Sequence, residues 1–441
     1  MSGIFKAYDI RGVYPAEVNG KVAEAIGRAF VTFTGARRVV VGRDMRPHSA
    51  ELFEGLARGL TEQGADVIDL GLCSTPQSYF ANGSLGAEGG IMITASHNPA
   101  EWNGFKLCRA QAVPISGATG IMEIQKLVEA GKWETPARRG AISQLDIGPE
   151  YAKFLRSFVD FGGKRLKVVV DYANAMGSSE IAGLKELFDI VPLYEELDGS
   201  FPNHEANPLK SETLRAVCAK VREVGADFGA AFDGDADRCG FIDDRGEPIP
   251  MDLFTALIAQ DILSRGPATI LYDLRSSRSV PECIEANGGK AIQCRVGHAF
   301  IKAQMRENDA VFAGELSGHY YFKQNFTAES QGLAMVMLAN LICKKNVPVH
   351  ELVAPLRKYV SSGEINSRVT DPAKILAELK ERYADGHVFE LDGVSVEYPD
   401  WWFNVRASNT EPLLRLIVEA ATPEAMAEKR DALLAVIRRQ Q

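Results

Sequence analysis

A serine and a histidine, Ser96 and His97, come directly after an apolar run of the sequence. The run IMIT predicts the end of a buried strand, and the letters SHNP predict a polar loop. A serine beside a histidine suggests a serine hydrolase, but this loop lacks the G-x-S-x-G motif of the α/β hydrolases. The loop alone leaves two interpretations: a reactive serine, or a serine that caps a turn beside a structural histidine.

Three aspartates, Asp233, Asp235 and Asp237, alternate with small residues in FDGDADR. Two carboxylates about 4 Å apart repel by about 4 kcal/mol at an effective dielectric constant near 20, so converging carboxylates need a cation. An EF-hand is excluded, because Arg238 stands where that calcium loop requires glycine. Hard oxygen ligands with few other donors favour Mg²⁺. The alternative is a solvated loop whose carboxylates diverge.

A magnesium loop changes the interpretation of Ser96. A serine oxygen beside a divalent cation is suited to carry a phosphoryl group, whose charge of about −1.5 to −2 the metal offsets. Lys106 lies ten positions further along and could offset more of that charge. Together these residues indicate phosphoryl transfer rather than acyl transfer.

The sequence GELSGH supplies Glu315, Ser317 and His319. Alternation places all three side chains on one face if the backbone is extended. A carboxylate that faces a cleft is a good acceptor for paired sugar hydroxyls, so this loop is a candidate for sugar recognition. An ordinary polar turn is the competing interpretation.

The strongest anion-binding pattern is VRASNTEPLLRL, in which Arg406 precedes Ser408, Asn409 and Thr410, and Arg415 follows. Hydroxyl, amide and backbone N–H donors around an arginine are typical of a phosphate cradle. The guanidinium is a planar fork that matches phosphate oxygens. A solvated turn is the alternative.

Four further residues have suitable chemistry but less context: Tyr8 and Arg11 in YDIRG, Arg238 after the aspartates, and His298 in VGHAFIK. A lone histidine is more often structural than catalytic. These residues therefore carry weight only if the fold brings them to the other loops.

Three segments, which begin at 37–44, 166–177 and 268–277, share one order: strand, loop, helix, strand, connection, strand, loop. This alternation predicts α/β domains with largely parallel sheets, and ligands bind beyond the carboxyl ends of such strands. The loops TASHNP, FDGDADR and GELSGH follow the last strand of each repeat, so three equivalent domains could direct them into one cleft.

The fourth segment has strands followed by helices, which indicates a small α+β domain behind a hinge at SSG. The predicted fold class is α/β, with three similar mixed-sheet domains and a C-terminal α+β domain around a central cleft. We predict domains at 1–146, 147–243, 244–360 and 361–441.

Composition excludes several classes of protein. The chain has 441 residues, 46% of them hydrophobic and 24% charged, which is ordinary for a globular protein. A formal net charge of −9 argues against a nucleic-acid partner. Seven scattered cysteines without a CxxC pair favour a reducing compartment. With no signal-peptide core and no apolar run of membrane-spanning length, we expect a cytoplasmic monomer that does not associate with membranes.

The motifs TASHNP, DGDADR, GELSGH and RASNTEP, in this order over nearly the whole chain, resemble those of the α-D-phosphohexomutase family. The likeness is strongest to its bacterial phosphomannomutase and phosphoglucomutase members. The resemblance implies four domains around a central cleft. It also implies interconversion of hexose 1-phosphates and hexose 6-phosphates, of mannose and also of glucose, with a hexose 1,6-bisphosphate as intermediate and activator.

The resemblance implies catalytic roles for matching residues. Ser96 matches the serine that is phosphorylated in the resting enzyme. Asp233, Asp235 and Asp237 match the Mg²⁺ ligands, and an oxygen of the phosphorylated Ser96 is a further ligand. The groups expected around the reacting phosphoryl are Arg11, Lys106, Arg238 and His298. We predict His298 rather than His319 as the general base.

Substrate-binding residues are expected where the other motifs match. They are Tyr8, His97, Arg275, Glu315, Ser317, His319, Arg406, Ser408, Asn409, Thr410 and Arg415. Arg275 stands where related enzymes often have lysine, and because arginine stays charged it is not expected to accept a proton.

Other activities compete with this prediction. Strictly glucose-specific relatives have GEESFG where this chain has GELSGH, which favours a sugar that varies at C2. Phosphoglucosamine mutases favour RPSGTEP where this chain has RASNTEP, and remain an alternative. Outside the family, the alternatives are a phosphatase that uses Ser96 and a non-catalytic sugar-phosphate-binding protein.

Overall fold

The computed structural model of the protein describes residues 2–407 and 413–439. They form four β-sheets, each with helices packed on it. The predicted fold class is confirmed: three mixed α/β domains precede a C-terminal α+β domain. The predicted boundaries between the domains stay predictions.

The first domain is built on a six-stranded sheet of order β1-β5-β4-β2-β3-β6. Its elements are β1 (Ile10–Val13), α1 (Gly20–Thr34), β2 (Arg38–Arg43), α2 (Ser49–Glu62), β3 (Asp66–Leu72), α3 (Thr75–Ser84), β4 (Gly89–Ile93), β5 (Trp102–Arg109), α4 (Met122–Ala130) and β6 (Ile142–Gln144). Helix α3 begins at a capping box, in which the Ser74 hydroxyl accepts the Gln77 N–H and the Gln77 side chain accepts the Ser74 N–H.

The second domain has a four-stranded sheet of order β10-β9-β7-β8. Its elements are α5 (Gly148–Arg156), β7 (Lys167–Asp171), α6 (Gly177–Glu180), β8 (Asp189–Leu193), α7 (Arg215–Val224), β9 (Phe228–Phe232) and β10 (Cys239–Ile242). The segment SSEIAGLKELF, which stands at the helix position of the second repeat, holds the short α6 followed by a 3₁₀ turn, Ala182–Leu187.

The third domain has a five-stranded sheet of order β12-β11-β13-β14-β15. Its elements are α8 (Met251–Leu263), β11 (Thr269–Asp273), α9 (Ser279–Ala286), β12 (Lys290–Cys294), α10 (His298–Glu307), β13 (Phe312–Gly314), β14 (Tyr320–Phe322), β15 (Ala328–Glu329), α11 (Gln331–Lys345) and α12 (Val349–Val353).

The fourth domain has strands β16 (Val360–Ser361), β17 (Ile365–Arg368), β18 (His387–Phe389), β19 (Val394–Glu397), β20 (Trp401–Ala407) and β21 (Leu413–Ala420), with helices α13 (Pro372–Arg382) and α14 (Pro423–Ile437). All of its strand pairs are antiparallel. Strand β16 already pairs with β21, so the chain joins this sheet just before the SSG segment.

The internal repeat is visible in the sheets. Strand β2 lies between β3 and β4, β7 lies between β8 and β9, and β11 lies between β12 and β13, all in parallel. Each of these central strands leads into an aspartate, Asp44, Asp171 or Asp273, whose Oδ1 accepts the N–H two residues later at 3.1, 2.9 and 2.7 Å. The predicted loops follow the equivalent strands β4, β9 and β13.

One apolar core runs through the first three domains, whereas the fourth has its own. In the shared core, the Phe80 ring of the first domain lies 5.3 Å from Tyr151 of the second and 6.2 Å from Phe326 of the third, centroid to centroid. The core of the fourth domain is formed by residues 369–437 alone. Among the described residues, the first three domains therefore share one apolar cluster, and the apolar cluster of the fourth domain is separate from it.

Among the described residues, no single helix is both long and apolar enough to cross a membrane. The segments Gln331–Lys345 and Val349–Leu356 reach that length and composition only together, with a 96° bend between them.

Candidate active site

The loop after β4 holds Ser96 in a strained backbone conformation at the bottom of the cleft. Its φ is 52°, in the left-handed region, and the residue is buried. The Ser96 hydroxyl donates to Asp233 Oδ2 at 2.8 Å and lies 3.2 Å from His97 Nδ1. Gly234 leaves room for this approach, because a Cβ there would collide with the Ser96 carbonyl oxygen.

A buried guanidinium, that of Arg46, positions the serine loop. Its Nη1 and Nη2 atoms donate to four backbone carbonyls of the loop, at 2.6 to 3.0 Å: those of Ser96, Asn98, Pro99 and Trp102. Asp44 Oδ2 lies 3.2 Å from Arg46 Nε, and both side chains are fully buried. A loop that would otherwise leave carbonyls unpaired is thus held by one planar group.

The loop after β9 brings Asp233, Asp235 and Asp237 together, with one oxygen of each within 4.8 Å of the others. Burial and the two neighbouring aspartates raise the pKa of Asp233. In the described structure, the buried Asp235 Oδ1 and Asp237 Oδ1 accept no hydrogen bond. Lys106 Nζ lies 2.7 Å from Asp235 Oδ2 and also pairs with Asp237. Three buried carboxylates that converge, two of whose oxygens accept no hydrogen bond from the described residues, fit a divalent cation better than a solvated loop.

Contacts from the first and third domains hold this loop in place. Thr75, at the start of α3, donates its hydroxyl to Asp235 Oδ2 at 2.6 Å and its N–H to the Asp235 carbonyl at 2.9 Å. Gln331, at the start of α11, donates its amide to the Asp237 carbonyl at 2.6 Å. The position of the carboxylates therefore depends on three domains.

The same two helix starts meet at the buried carboxylate of Glu180. It accepts hydrogen bonds from the Ser74 hydroxyl at 2.6 Å, the Tyr151 hydroxyl at 2.8 Å and the Gly332 N–H at 2.8 Å. Burial raises the pKa of Glu180 to about 7. This carboxylate joins the first three domains directly behind the acidic loop.

The loop after β13 is a tight turn between β13 and β14, so the condition of an extended backbone, under which alternation would place the three side chains on one face, is not met. The Glu315 N–H donates to the His319 carbonyl at 3.0 Å, and Gly318 has a φ of 83°. The turn still brings the three side chains together, with His319 Nδ1 2.9 Å from Glu315 Oε2 and 2.8 Å from the Ser317 hydroxyl.

His319 links this turn to the acidic loop, because its Nε2 lies 3.3 Å from Asp237 Oδ1. Burial alone would lower the pKa of His319, but Asp237 and Glu315 outweigh it and raise that pKa to about 9. The three loops that the repeat predicts to meet do so in the structure.

Two arginines lie beside the serine and aspartate loops. Arg11, on β1, pairs with Asp9 at 2.6 Å and donates to Asn98 Oδ1 at 2.6 Å and to the Ala95 carbonyl at 3.1 Å. Arg238 Nε lies 3.1 Å from His319 Nε2 and 3.9 Å from Asp233. Both guanidinium groups therefore flank Ser96.

His298 is the first residue of α10 and is half-buried. Its Nδ1 makes no hydrogen bond to any described residue. Burial and the ammonium groups of Lys302 and Lys106 hold its pKa well below the usual value, so the imidazole is neutral at pH 7. The Tyr8 ring lies edge-on at 5.8 Å, and its hydroxyl donates to the Val296 carbonyl at 3.3 Å.

On the opposite side, Arg275, Arg406 and Arg415 gather around Glu364, a residue the sequence did not single out. Arg406 Nη2 lies 2.7 Å, Arg415 Nη1 3.3 Å and Arg275 Nη1 3.6 Å from the carboxylate. Asp273 also binds Arg275 through two oxygens, at 2.7 and 3.1 Å. Three other predicted phosphate ligands, Ser408, Asn409 and Thr410, lie outside the described residues.

Comparison with known proteins agrees with this architecture. Four family descriptions of phosphoglucomutase/phosphomannomutase match in chain order: alpha/beta/alpha domain I over residues 2–135, domain II over 149–246, domain III over 250–359 and the C-terminal domain over 364–436. A phosphomannomutase of Escherichia coli is 40% identical over 98% of this chain and 99% of its own length.

The chain belongs to the phosphoglucomutase/phosphomannomutase family. A phosphomannomutase of Methanocaldococcus jannaschii is 42% identical over 97% of this chain and 95% of its own. A crystal structure of a phosphoglucomutase/phosphomannomutase family protein from Burkholderia thailandensis superimposes with a TM-score of 0.91, at 34% identity, over 99% of this chain and 98% of its own. The chain is therefore a phosphohexomutase, an isomerase of carbohydrate metabolism.

Sequence reasoning missed several residues that position the site of this phosphohexomutase: Arg46, Thr75, Glu180, Gln331 and Glu364. Most are polar side chains buried among apolar neighbours, and their partners lie far away in the sequence. Only Arg46 had a signal, because it follows the aspartate that ends the first strand of the repeat, as Arg275 does in the third domain.

Proposed function

We propose that this phosphohexomutase interconverts the 1-phosphates and 6-phosphates of mannose and glucose through a phosphorylated Ser96 and a hexose 1,6-bisphosphate. The observation that carries the proposal is the Ser96 hydroxyl, buried and 2.8 Å from Asp233 at the edge of three converging carboxylates. The loop lacks the G-x-S-x-G motif of the α/β hydrolases, whereas the neighbouring carboxylates and Lys106 give Ser96 the surroundings that a phosphoryl group needs.

Asp233, Asp235 and Asp237, with an oxygen of phosphorylated Ser96, would hold Mg²⁺. When bound, the ion offsets charge on the phosphoryl oxygens. The O–P bond at Ser96 breaks while the free hydroxyl of a hexose 1-phosphate forms a new bond to the same phosphorus. Arg11, Lys106 and Arg238 stabilise the charge in transit.

The hydroxyl of the sugar loses its proton in this step, and we assign that proton to His298. Its depressed pKa keeps the imidazole neutral at pH 7, and a neutral imidazole can accept the proton. His319 pairs with Glu315 and Asp237, which raise its pKa to about 9. At pH 7 this imidazole is therefore already protonated and cannot accept the proton of the sugar hydroxyl. Replacing His298 with Gln is expected to lower kcat by about 10²-fold or more and to leave Mg²⁺ binding intact. Unchanged turnover would remove His298 from this role.

Glu315 is proposed to accept two sugar hydroxyls, with Ser317 and His319 beside it. Tyr8 and His97 line the cleft near the reacting phosphoryl. The phosphate that does not react is assigned to the far side of the cleft, to Arg275, Arg406, Ser408, Asn409, Thr410 and Arg415.

The bisphosphate must turn end for end before Ser96 takes the phosphoryl from C1. A fourth domain with its own core, behind the SSG segment, allows the cleft to open for this step. A crosslink between the first and fourth domains is expected to lower turnover. We further propose that the enzyme acts as a monomer in the cytoplasm.

Phosphorus NMR tests the proposal directly. The full chain is incubated with Mg²⁺, a trace of glucose 1,6-bisphosphate and either mannose 1-phosphate or glucose 1-phosphate. Conversion of both to 6-phosphates supports a dual mutase, and the ratio of rates names the preferred sugar. Release of inorganic phosphate alone favours a phosphatase. A Ser96→Ala variant that still converts either sugar would exclude the phosphoserine route.

A further inference from the structure

The carboxylate of Glu364 occupies the centre of an arginine cluster that the proposed function assigns to phosphate. Arg406, Arg415 and Arg275 all lie within 3.6 Å of it. Glu364 is partly buried, with 23% of its side chain exposed, and Arg275 and Arg406 are buried. Among residues 2–407 and 413–439, it is the one carboxylate in ion-pair contact with Arg406 and Arg415.

Charge separates the members of this cluster. Asp273 already neutralises Arg275 through two hydrogen bonds, so Arg275 is held in place without Glu364. Within residues 2–407 and 413–439, Arg406 and Arg415 have the single charge of Glu364 to share between them. In this part of the chain the two side chains keep a net positive charge of about one, which would attract a dianionic phosphate.

The contacts of Glu364 have the geometry of an oxygen anion bound by guanidinium groups. Its Oε2 atom takes the hydrogen bond from Arg406 at 2.7 Å, and its Oε1 atom lies 3.3 Å from Arg415. A phosphate oxygen uses the same N–H donors as a carboxylate oxygen. A phosphate that enters the cluster must compete with Glu364 for these donors.

We propose that Glu364 is a positioning residue that holds Arg406 and Arg415 in place before the substrate binds and lowers their affinity for the phosphate of the substrate. This inference rests on the proposed function. A mutase needs such a limit, because the bisphosphate must leave this cluster and return to it reversed in every cycle. Binding that is too tight on this side would trap one orientation and lower kcat.

The location of Glu364 relates phosphate binding to the position of the fourth domain relative to the third. It follows Gly363, whose φ is 64°, between β16 and β17 of the fourth domain, and it reaches Arg275 of the third domain. A phosphate that replaces Glu364 would contact Arg275 of the third domain and Arg406 of the fourth in its place. The same exchange therefore couples phosphate binding to the closing of the cleft.

The test compares Glu364→Gln with the native chain in phosphate binding and in turnover. Calorimetry with inorganic phosphate and with glucose 1-phosphate, at low and at high KCl, gives Kd. We expect Glu364→Gln to bind both roughly threefold to tenfold more tightly at low salt, with a smaller difference at high salt. KM and kcat should both fall, which a merely destabilised site would not do.

Glu424→Gln removes an exposed charge in the same domain and is the matched control. It should leave Kd and kcat unchanged; tightening in this variant as well would assign the effect to net charge and overturn the proposal. Glu364→Asp keeps the charge and should retain native or weaker phosphate binding, and it serves if Glu364→Gln does not fold. Equal or weaker binding by a folded Glu364→Gln, or tighter binding by Glu364→Asp, would contradict the inference.

Arg406→Ala separates this inference from the proposed function. If Arg406→Ala binds glucose 1-phosphate as the native chain does, the phosphate site itself is misplaced, and the inference falls with it. If Arg406→Ala loses affinity while Glu364→Gln gains none, only the role of Glu364 is wrong. Loss in the first variant and gain in the second support both.

Discussion

The two sides of the cleft are held by different means. On the side of Ser96, buried groups from three domains meet: Arg46 fixes the serine loop, and Thr75 and Gln331 fix the aspartate loop. On the side of the fourth domain, the contacts are between charged side chains at the edge of a separate core. Arg278 makes the main backbone contact there, with carbonyls of residues 398–401 and the Glu419 carboxylate.

This difference matches the two demands of a mutase. Phosphoryl transfer requires a nucleophile and its counter-charges in fixed positions, because about 1 Å of misplacement can cost about 10²-fold in rate. Reorienting a bisphosphate requires a wall that can move away. Buried hydrogen bonds across three domains provide the first, and a fourth domain with a separate core, which meets the third through ion pairs and hydrogen bonds, permits the second.

The largest expected effect separates chemistry from binding. Ser96→Ala should lower kcat by at least about 10³-fold, because it removes the hydroxyl that is proposed to carry the phosphoryl group. Arg406→Ala should instead raise KM by about tenfold or more, with a smaller change in kcat. Steady-state kinetics on both variants, with Ser157→Ala as an exposed control, measure this contrast. Equal losses of kcat in both variants would show that the Ser96 side and the fourth-domain side of the cleft do not have separate roles in chemistry and binding.

Arg46→Lys tests whether the serine loop depends on one planar group. A lysine cannot reach four carbonyls with the geometry of a guanidinium, so we expect kcat to fall by about 10²-fold and the protein to lose stability. Arg58→Lys, on an exposed part of the first domain, is the control. Native kcat in a folded Arg46→Lys would show that the loop is held by other contacts.

Protonation of Glu180, at the junction of the first three domains, is expected to make the free energy of unfolding depend on pH. Burial raises its pKa from 4.5 to about 7, so the folded chain keeps a proton that the unfolded chain releases. Stability from this group is therefore present below pH 4.5 and is lost as the pH rises to about 7, by about 3 kcal/mol.

Urea unfolding at about pH 5 and pH 7.5 measures this loss, and Glu180→Gln should show a smaller difference between the two pH values. Glu123→Gln, an exposed change in the first domain, should behave as the native chain does. An identical pH dependence in Glu180→Gln would assign the titration to another group.

The smallest effect concerns the attachment of the fourth domain. Arg278→Ala removes the side-chain hydrogen bonds to that domain, while the backbone N–H bond to Glu419 remains, and it should weaken docking by about 1–3 kcal/mol. Hydrogen exchange should rise in β19, β20 and β21 near Arg278, and the loop around Ser96 should stay protected. Faster exchange at Ser96 as well would mean that the fourth domain also stabilises the Ser96 side of the cleft. The two sides would then not be held independently.

Much of this protein was predictable from short stretches of sequence. Alternation of apolar and polar residues indicates the order of strands and helices. Clusters of like residues indicate which side chains the loops after β4, β9 and β13 carry. The shape of the GELSGH turn was not predictable, because a backbone can bring Glu315 and His319 together either by extension or by a hairpin. The hairpin depends on β14 returning along β13.

The residues that hold the site were decided by tertiary structure alone. Arg46 contacts a carbonyl 50 positions away, Ser74 contacts Glu180 across 106, and Glu364 meets Arg406 across 42. Apart from the place of Arg46 after a strand-ending aspartate, nothing local distinguishes these side chains from solvated ones, because the energy of a buried polar group depends on whether the fold supplies its partner. Sequence therefore determined the chemistry this protein carries, and packing between domains determined which groups keep that chemistry in place.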